Sequence, residues 1–203
     1  MSTARSLLVA TSNLRKRDEI FAILESYNLN LELKTLSDYP TAQDVEETGS
    51  TFAENAALKA RAGLAVSGEL TLADDGGLIV DALEGKPGVH SHRFLGAGVD
   101  FETKMREILR LMEHVPDRLR SCRFECAVAI AVPDGQLLEC SGVCNGKVAR
   151  ELRGSYGFGY DPLFYLPELG KHMAELSPEE KNRVSHRGRA LACAAQALRS
   201  LFG

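Results

Sequence analysis

Three groups of residues in this 203-residue chain have the types and spacing that chemistry on a charged substrate needs. The first is Thr11-Ser12-Asn13-Leu14-Arg15-Lys16, where an apolar run gives way to a helical pattern. Backbone N–H groups at a helix start, small polar side chains and Lys16 can converge there on a phosphate. A polar helix cap with solvated cations is the plainer reading of the same residues. The second group is Asp74-Asp75, directly after an apolar stretch and before Gly76-Gly77. Successive strand residues point to opposite faces, and two glycines let the backbone turn sharply. Paired carboxylates suit Mg²⁺, which takes oxygen ligands, keeps several waters and is commonly shared with substrate phosphates. Glu46 and Glu47 add carboxylates before an alanine-rich segment, and Lys59 lies on that segment's small-residue face with Phe52, Ala56 and Gly63. A solvated acidic turn and a surface lysine are the competing readings. The third group, Phe158-Gly159-Tyr160-Asp161-Pro162, offers aromatic faces and a carboxylate to a heterocyclic base. Ser185-His186-Arg187 adds an imidazole and a guanidinium at a possible helix start. A core turn and an ordinary helix surface are the alternatives for these two.

The elements that must position these groups are legible from periodicity. Ser6 to Thr11 reads as a short buried strand, and Lys16 to Tyr27 as a helix with Ile20, Phe21, Ile23, Leu24 and Tyr27 on one face. Leu29, Leu31 and Leu33 alternate as a strand, and Ser50 to Val66 is an alanine-rich helix. Leu70 to Ala73 forms a short strand that feeds the acidic pair, with Leu78 to Leu83 as its resumption after the turn. Gly85-Lys86-Pro87-Gly88 opens a loop, and Phe101, Met105, Ile108, Leu109 and Met112 mark a helix. Phe124 to Val132 alternates, Pro133-Asp134-Gly135-Gln136 turns, and Leu137 starts the returning strand. Ser177-Pro178-Glu179-Glu180 has the spacing of a capping box, and Ser185 begins a second helix running to Phe202. Mixed strand and helix order specifies the α/β class.

Composition removes several function classes. With 44% apolar and 26% charged residues the chain buries a core, and no repeat or linker divides it, so residues 1–203 are read as one domain. No apolar stretch approaches the roughly 20 residues of a membrane span. Lys and Arg number 24 against 28 Asp and Glu, a balance that gives no positive field for a nucleic-acid backbone. Five cysteines without an export signal favour a reducing, cytoplasmic setting. Cys122, Cys126, Cys140 and Cys144 resemble a zinc set only superficially. Residues four apart on a strand stand about 13 Å apart, too far for one tetrahedral ion, so buried reduced thiols are expected. No Gly-x-Ser-x-Gly, His-Glu-x-x-His or Gly-x-Gly-x-x-Gly motif is present.

The motifs in their order closely resemble the inosine triphosphate pyrophosphatase family, which hydrolyses deaminated purine nucleoside triphosphates. The resemblance rests on Ala10-Thr11-Ser12-Asn13 with Lys16, Glu46-Glu47-Thr48-Gly49, Thr51-Phe52, Glu54-Asn55-Ala56 and Lys59-Ala60. It continues through Ala73-Asp74-Asp75, Gly88, Phe158 to Pro162, Ala174-Glu175-Leu176, Glu180-Lys181-Asn182 and Ser185-His186-Arg187-Gly188. It implies an elongated, two-lobed α/β fold around a mixed, twisted sheet, a nucleotide cleft and a homodimer. It also implies Mg²⁺ on Glu47 and Asp75 with Asp74 nearby, Asp75 as base, and Thr11 to Lys16 with Lys59 on the triphosphate. Phe158, Gly159, Tyr160, Asp161, Lys181, His186 and Arg187 then form the base and sugar pocket. Ser12 stands where the family often has glycine, and Gly76 where it usually has serine or threonine, leaving only the Gly76 N–H to meet a phosphate. His92 replaces a commonly small residue. Pyrophosphatases of other modified or pyrimidine nucleotides, and a non-hydrolysing nucleotide-binding regulator, are the rival functions.

Overall fold

The computed structural model describes residues 5–42 and 45–202. Its strands are β1 (Arg5–Val9), β2 (Leu31–Thr35), β3 (Thr71–Val80), β4 (Ser121–Ala131), β5 (Leu137–Val148), β6 (Phe164–Leu166) and β7 (Lys171–His172). Its α-helices are α1 (Leu14–Ser26), α2 (Phe52–Ser67), α3 (Phe101–Leu111), α4 (Pro178–Val184) and α5 (His186–Phe202). The strands form one sheet in the order β2-β1-β3-β4-β5-β6-β7. β1 runs parallel to β2 and β3, with Val9 opposite both Thr35 and Leu72, whereas β6 is antiparallel to β5 and β7. The sheet is therefore mixed, as the α/β reading expects.

Contacts group the chain into two compact units. The first comprises Met1–Asp75, Cys126–Gly142 and Arg187–Gly203. Its core joins Leu7 and Val9 of β1, Ile20 and Leu24 of α1, Val128 and Ile130 of β4, and Leu191 and Leu198 of α5. Asn13 caps α1 by accepting from the N–H groups of Arg15 and Lys16 at 3.1 and 3.2 Å. α2 lies close over its strands because Gly63 has no side chain: a Cβ there would fall 2.7 Å from Thr71 Cγ2 and 3.1 Å from Ala10 Cβ. The second unit comprises Gly76–Glu125 and Val143–His186. Leu78, Met105, Ile108, Phe124, Leu163, Phe164 and Met173 form its core. The buried Arg120 guanidinium satisfies the carbonyls of Met112, Val148 and Ala149.

Three expectations need correction. Asp74 to Gly77 do not turn; they continue β3. Gly77 instead admits Ser91, whose Oγ would lie 2.2 Å from a Cβ at that position. α1 starts at Leu14 rather than Lys16, because the cap at Asn13 fixes its first turn. The cysteines are not all reduced: Cys140 on β5 and Cys193 on α5 form a disulfide with a Cα–Cα distance of 5.8 Å. The pairing is not legible locally, because Cys193 lies 53 residues beyond its partner, on a helix. Cys122 and Cys144 belong to the second unit's core and Cys126 and Cys140 to the first, so the four never gather around one ion. The short strands β6 and β7 carried too few residues to show a period. No described helix is long and apolar enough to cross a membrane.

Candidate active site

In the first unit, the middle of β3 sends its two aspartates to opposite sides, as a strand must. Asp75 faces α2. Its Oδ2 accepts from Asn55 Nδ2 at 3.0 Å, and its Oδ1 lies 3.5 Å from Lys59 Nζ. Lys59 also donates to Glu47 Oε1 at 2.8 Å, so two carboxylates converge on one mostly buried ammonium. Asp74 faces α1 and α5. Its Oδ2 accepts from Arg187 Nε and Nη2 at 3.1 and 2.9 Å and lies 3.5 Å from Lys16 Nζ. Arg187 also donates to Glu19 Oε2 at 2.6 Å, and the Cys126 thiol approaches Asp74 Oδ2 at 3.8 Å.

These surroundings push the two carboxyls in opposite directions. Burial is the strongest influence on each. For Asp75 it wins over Lys59 and Lys16, and the carboxyl binds its proton more tightly than usual. For Asp74, Lys16, Arg187 and Lys59 together override burial and hold the carboxyl well below the usual range. Burial opposes the charge on Lys59 as well, but Asp75, Asp74 and Glu47 outweigh it and keep the ammonium protonated. Burial pushes the Cys126 thiol up to about 12, so it stays protonated beside Asp74.

Hard oxygen donors are what Mg²⁺ prefers, and Glu47 and Asp75 already focus on a single cation. Asp74 Oδ1 is buried with no hydrogen-bond partner among the described residues, an orphaned acceptor of the kind a hard cation suits. Among the described residues no three His, Cys, Asp or Glu side chains come together as a metal-binding group, so the carboxylates on offer are the pair Glu47 and Asp75. An open carboxylate set fits an ion that shares its shell with water and phosphate.

In the second unit, Asp161 organises the aromatic turn. Its Oδ2 accepts from the Phe158 N–H at 2.8 Å and from Lys181 Nζ at 2.7 Å, with both charged side chains buried. Lys181 also lies over the Phe158 ring, 4.6 Å from its centroid. Gly157 and Gly159 adopt positive φ values of 71° and 66°, which lets the loop close on Asp161. The Tyr160 hydroxyl donates to the Ser91 carbonyl at 2.9 Å, and its ring meets Phe101 edge-on. His186 stacks on Phe124 at 4.7 Å.

A sequence profile of the Ham1 family matches residues 7–197. The chain belongs to the Ham1 family. A dITP/XTP pyrophosphatase of Geobacillus kaustophilus is 48% identical over 92% of this chain and 91% of its own. One from Desulforamulus reducens is 45% identical over 97% and 96%. A solved HAM1 protein from Coxiella burnetii superposes with a TM-score of 0.87 at 38% identity, covering 97% of this chain and 99% of that one.

Within this Ham1 chain the structure gathers Lys16, Glu47, Lys59, Asp74 and Asp75 in the first unit, and Phe158, Asp161 and Lys181 in the second. Arg187, which the resemblance assigns to base and sugar, spends its guanidinium on Asp74 and Glu19. The segment from Thr11 to Lys16 is less open than the phosphate reading implies. Thr11 Oγ1 takes the Asn13 N–H, and Asn13 takes those of Arg15 and Lys16. Leu14 is exposed and Ser12 lies beside it on the surface. Gly76 sits in the strand directly after Asp75, and His92 offers its carbonyl to Lys104. Glu19 carries no sequence signal of this kind, and Asn55 enters the resemblance within Glu54-Asn55-Ala56 without a role. The signal for Asn55 was present: a polar amide four residues before Lys59, on the small-residue face of α2.

Proposed function

We propose that this Ham1-family chain hydrolyses deaminated purine nucleoside triphosphates (ITP, dITP, XTP) to the nucleoside monophosphate and pyrophosphate, cleansing the nucleotide pool. One observation carries the reading: Asp75, with its proton affinity raised, stands beside Lys59 and Glu47 in a chain of this family. Relatives at 45–48% identity bearing the dITP/XTP pyrophosphatase name support the substrate class.

Phosphoryl chemistry is mostly positioning and charge. Asp75 orients a water and takes its proton as the oxygen attacks the α-phosphorus. The bond from that phosphorus to the α–β bridging oxygen breaks, and pyrophosphate leaves with its charge met by Lys16 and Lys59. Mg²⁺ on Glu47 and Asp75, with Asp74 nearby, would neutralise phosphate oxygens. Thr11, Ser12, Asn13, Leu14, Arg15 and the Gly76 N–H line the phosphate path. In the second unit, Phe158 and Tyr160 meet the base, with Asp161, Gly159, Lys181 and His186 around it. Hypoxanthine and xanthine carry a carbonyl at C6 where adenine has an amino group. A buried site built on donors can reject the mismatch by about 10⁴-fold, and Lys181 and the loop amides are such donors. The reading further takes the 203 residues as one pyrophosphatase domain, acting in the cytoplasm as a homodimer.

The test incubates the protein with ITP, dITP, XTP, ATP, GTP and pyrimidine triphosphates, with and without Mg²⁺, and separates pyrophosphate from orthophosphate. Pyrophosphate from the deaminated purines, dependent on Mg²⁺, is expected. Orthophosphate as first product, or equal turnover of ATP, overturns the reading.

A further inference from the structure

We infer that Asn55 is a positioning residue whose single buried carboxamide fixes Asp75 and the Glu47-bearing loop against each other. The inference deepens the pyrophosphohydrolase reading and rests on it for the roles of Asp75 and Glu47. Asn55 is 1% exposed. Its Oδ1 accepts from the Gly49 N–H at 2.8 Å, and its Nδ2 donates to Asp75 Oδ2 at 3.0 Å. A backbone N–H can only donate, so Oδ1 must face Gly49 and the amino group is left for the carboxylate. Only a side chain carrying both a donor and an acceptor at this length meets both demands. Aspartate offers acceptors alone and sets a second charge against Asp75, whereas leucine fills the volume and leaves two buried polar groups unpaired.

The surrounding chain holds this amide in place. Thr51 and Glu54 form a capping box, and Glu54 Oε2 also accepts from the Ser50 N–H and hydroxyl at 2.6 and 2.8 Å. Position 49 is closed to a side chain: a Cβ there would lie 2.6 Å from Asn55 Oδ1 and 2.7 Å from Glu54 Cβ. One turn further along α2, Lys59 approaches the other oxygen of Asp75 and bonds Glu47. A neutral donor therefore meets Asp75 Oδ2, and Oδ1 is the oxygen turned toward the cation. Glu47, two residues before Gly49, is tied to the same carboxamide through the backbone.

The test compares wild type with Asn55→Leu, Asn55→Asp and Gly49→Ala, the last reaching the contact from its other end. Circular dichroism and a melting curve first establish that each is folded at the assay temperature. Outer partners of a metal or catalytic carboxylate typically change affinity or activity by about 10- to 100-fold. In Asn55→Leu, kcat on ITP is expected to fall by that factor while KM stays within about threefold of wild type. Calorimetric titration with Mg²⁺ in the presence of a non-hydrolysable α,β-imido ITP analogue is expected to show weaker ion binding in the same variants. Wild-type kcat and Mg²⁺ affinity in folded Asn55→Leu overturn the inference, as does a rise in KM with kcat unchanged. If wild type releases no pyrophosphate, the functional reading fails, and Asn55 is then judged on the titration. Absence of Mg²⁺ binding by wild type overturns the inference too.

Discussion

Asp74 and Asp75 are chemically identical neighbours with opposite linkage to pH. Burial raises Asp75 above the ordinary 3.8, so the folded protein holds that proton more tightly than the unfolded chain. Its contribution to stability is then present below 3.8 and is lost as pH climbs through the raised value. Asp75→Asn should cut kcat by about 10²- to 10⁴-fold and yet raise Tm at pH 7. Melting curves check the second half, with the gap from wild type narrowing as pH is lowered toward 3.8. A lower Tm for the variant at pH 7 would refute the sign. Asp74 behaves in reverse. Burial works against its charge, but Lys16, Arg187 and Lys59 prevail, so its stabilisation is present above 3.8 and is lost as pH falls through its depressed folded value. Asp74→Asn removes the carboxylate from a buried guanidinium and should cost about 3–5 kcal/mol, measured by urea unfolding at pH 7.

At the scale of elements, α2 does most to assemble the first unit's site, because Asn55 and Lys59 stand one turn apart on the face turned to β3. That face reaches Asp75 only while the helix stays close to its strands, and Gly63 sets the distance. Gly63→Ala drives a methyl against Thr71, Ala10 and Leu8. It should destabilise by about 1–3 kcal/mol and lower kcat by moving both donors. Chemical denaturation and steady-state kinetics on ITP test this, and wild-type values in both would show that the helix has room. The helix ends follow from local chemistry: Thr51 with Glu54 starts α2, Gly68 in the left-handed conformation stops it, and Ser177 with Glu180 starts α4.

For the whole molecule, the disulfide between Cys140 and Cys193 closes a long loop of chain. Loop-closure entropy for a separation of 53 residues corresponds to about 4 kcal/mol. Reductant should therefore lower Tm of the wild type, and Cys193→Ser should melt at that lower value with or without reductant. Equal melting of oxidised and reduced wild type would discount the cross-link. The acidic pair, the cation-rich helix starts, the α2 lysine and the Phe158–Pro162 turn were legible in the sequence because each depends on residues a few positions apart. Periodicity likewise specified the β4–β5 hairpin and the capped helices, since hydrogen bonding and burial repeat locally. Asp74 to Gly77 read as a turn, because glycine signals bends and the strand pairing that straightens them is not local. The hydrogen-bond partners of the two aspartates lie far along the chain: Arg187 is 113 residues from Asp74, and Asn55 is 20 from Asp75. Sequence alone determined the chemical groups, the elements that carry them and the family. Only tertiary structure decided which aspartate meets which cation, because burial and cross-chain charge, not residue type, set the proton affinity of each.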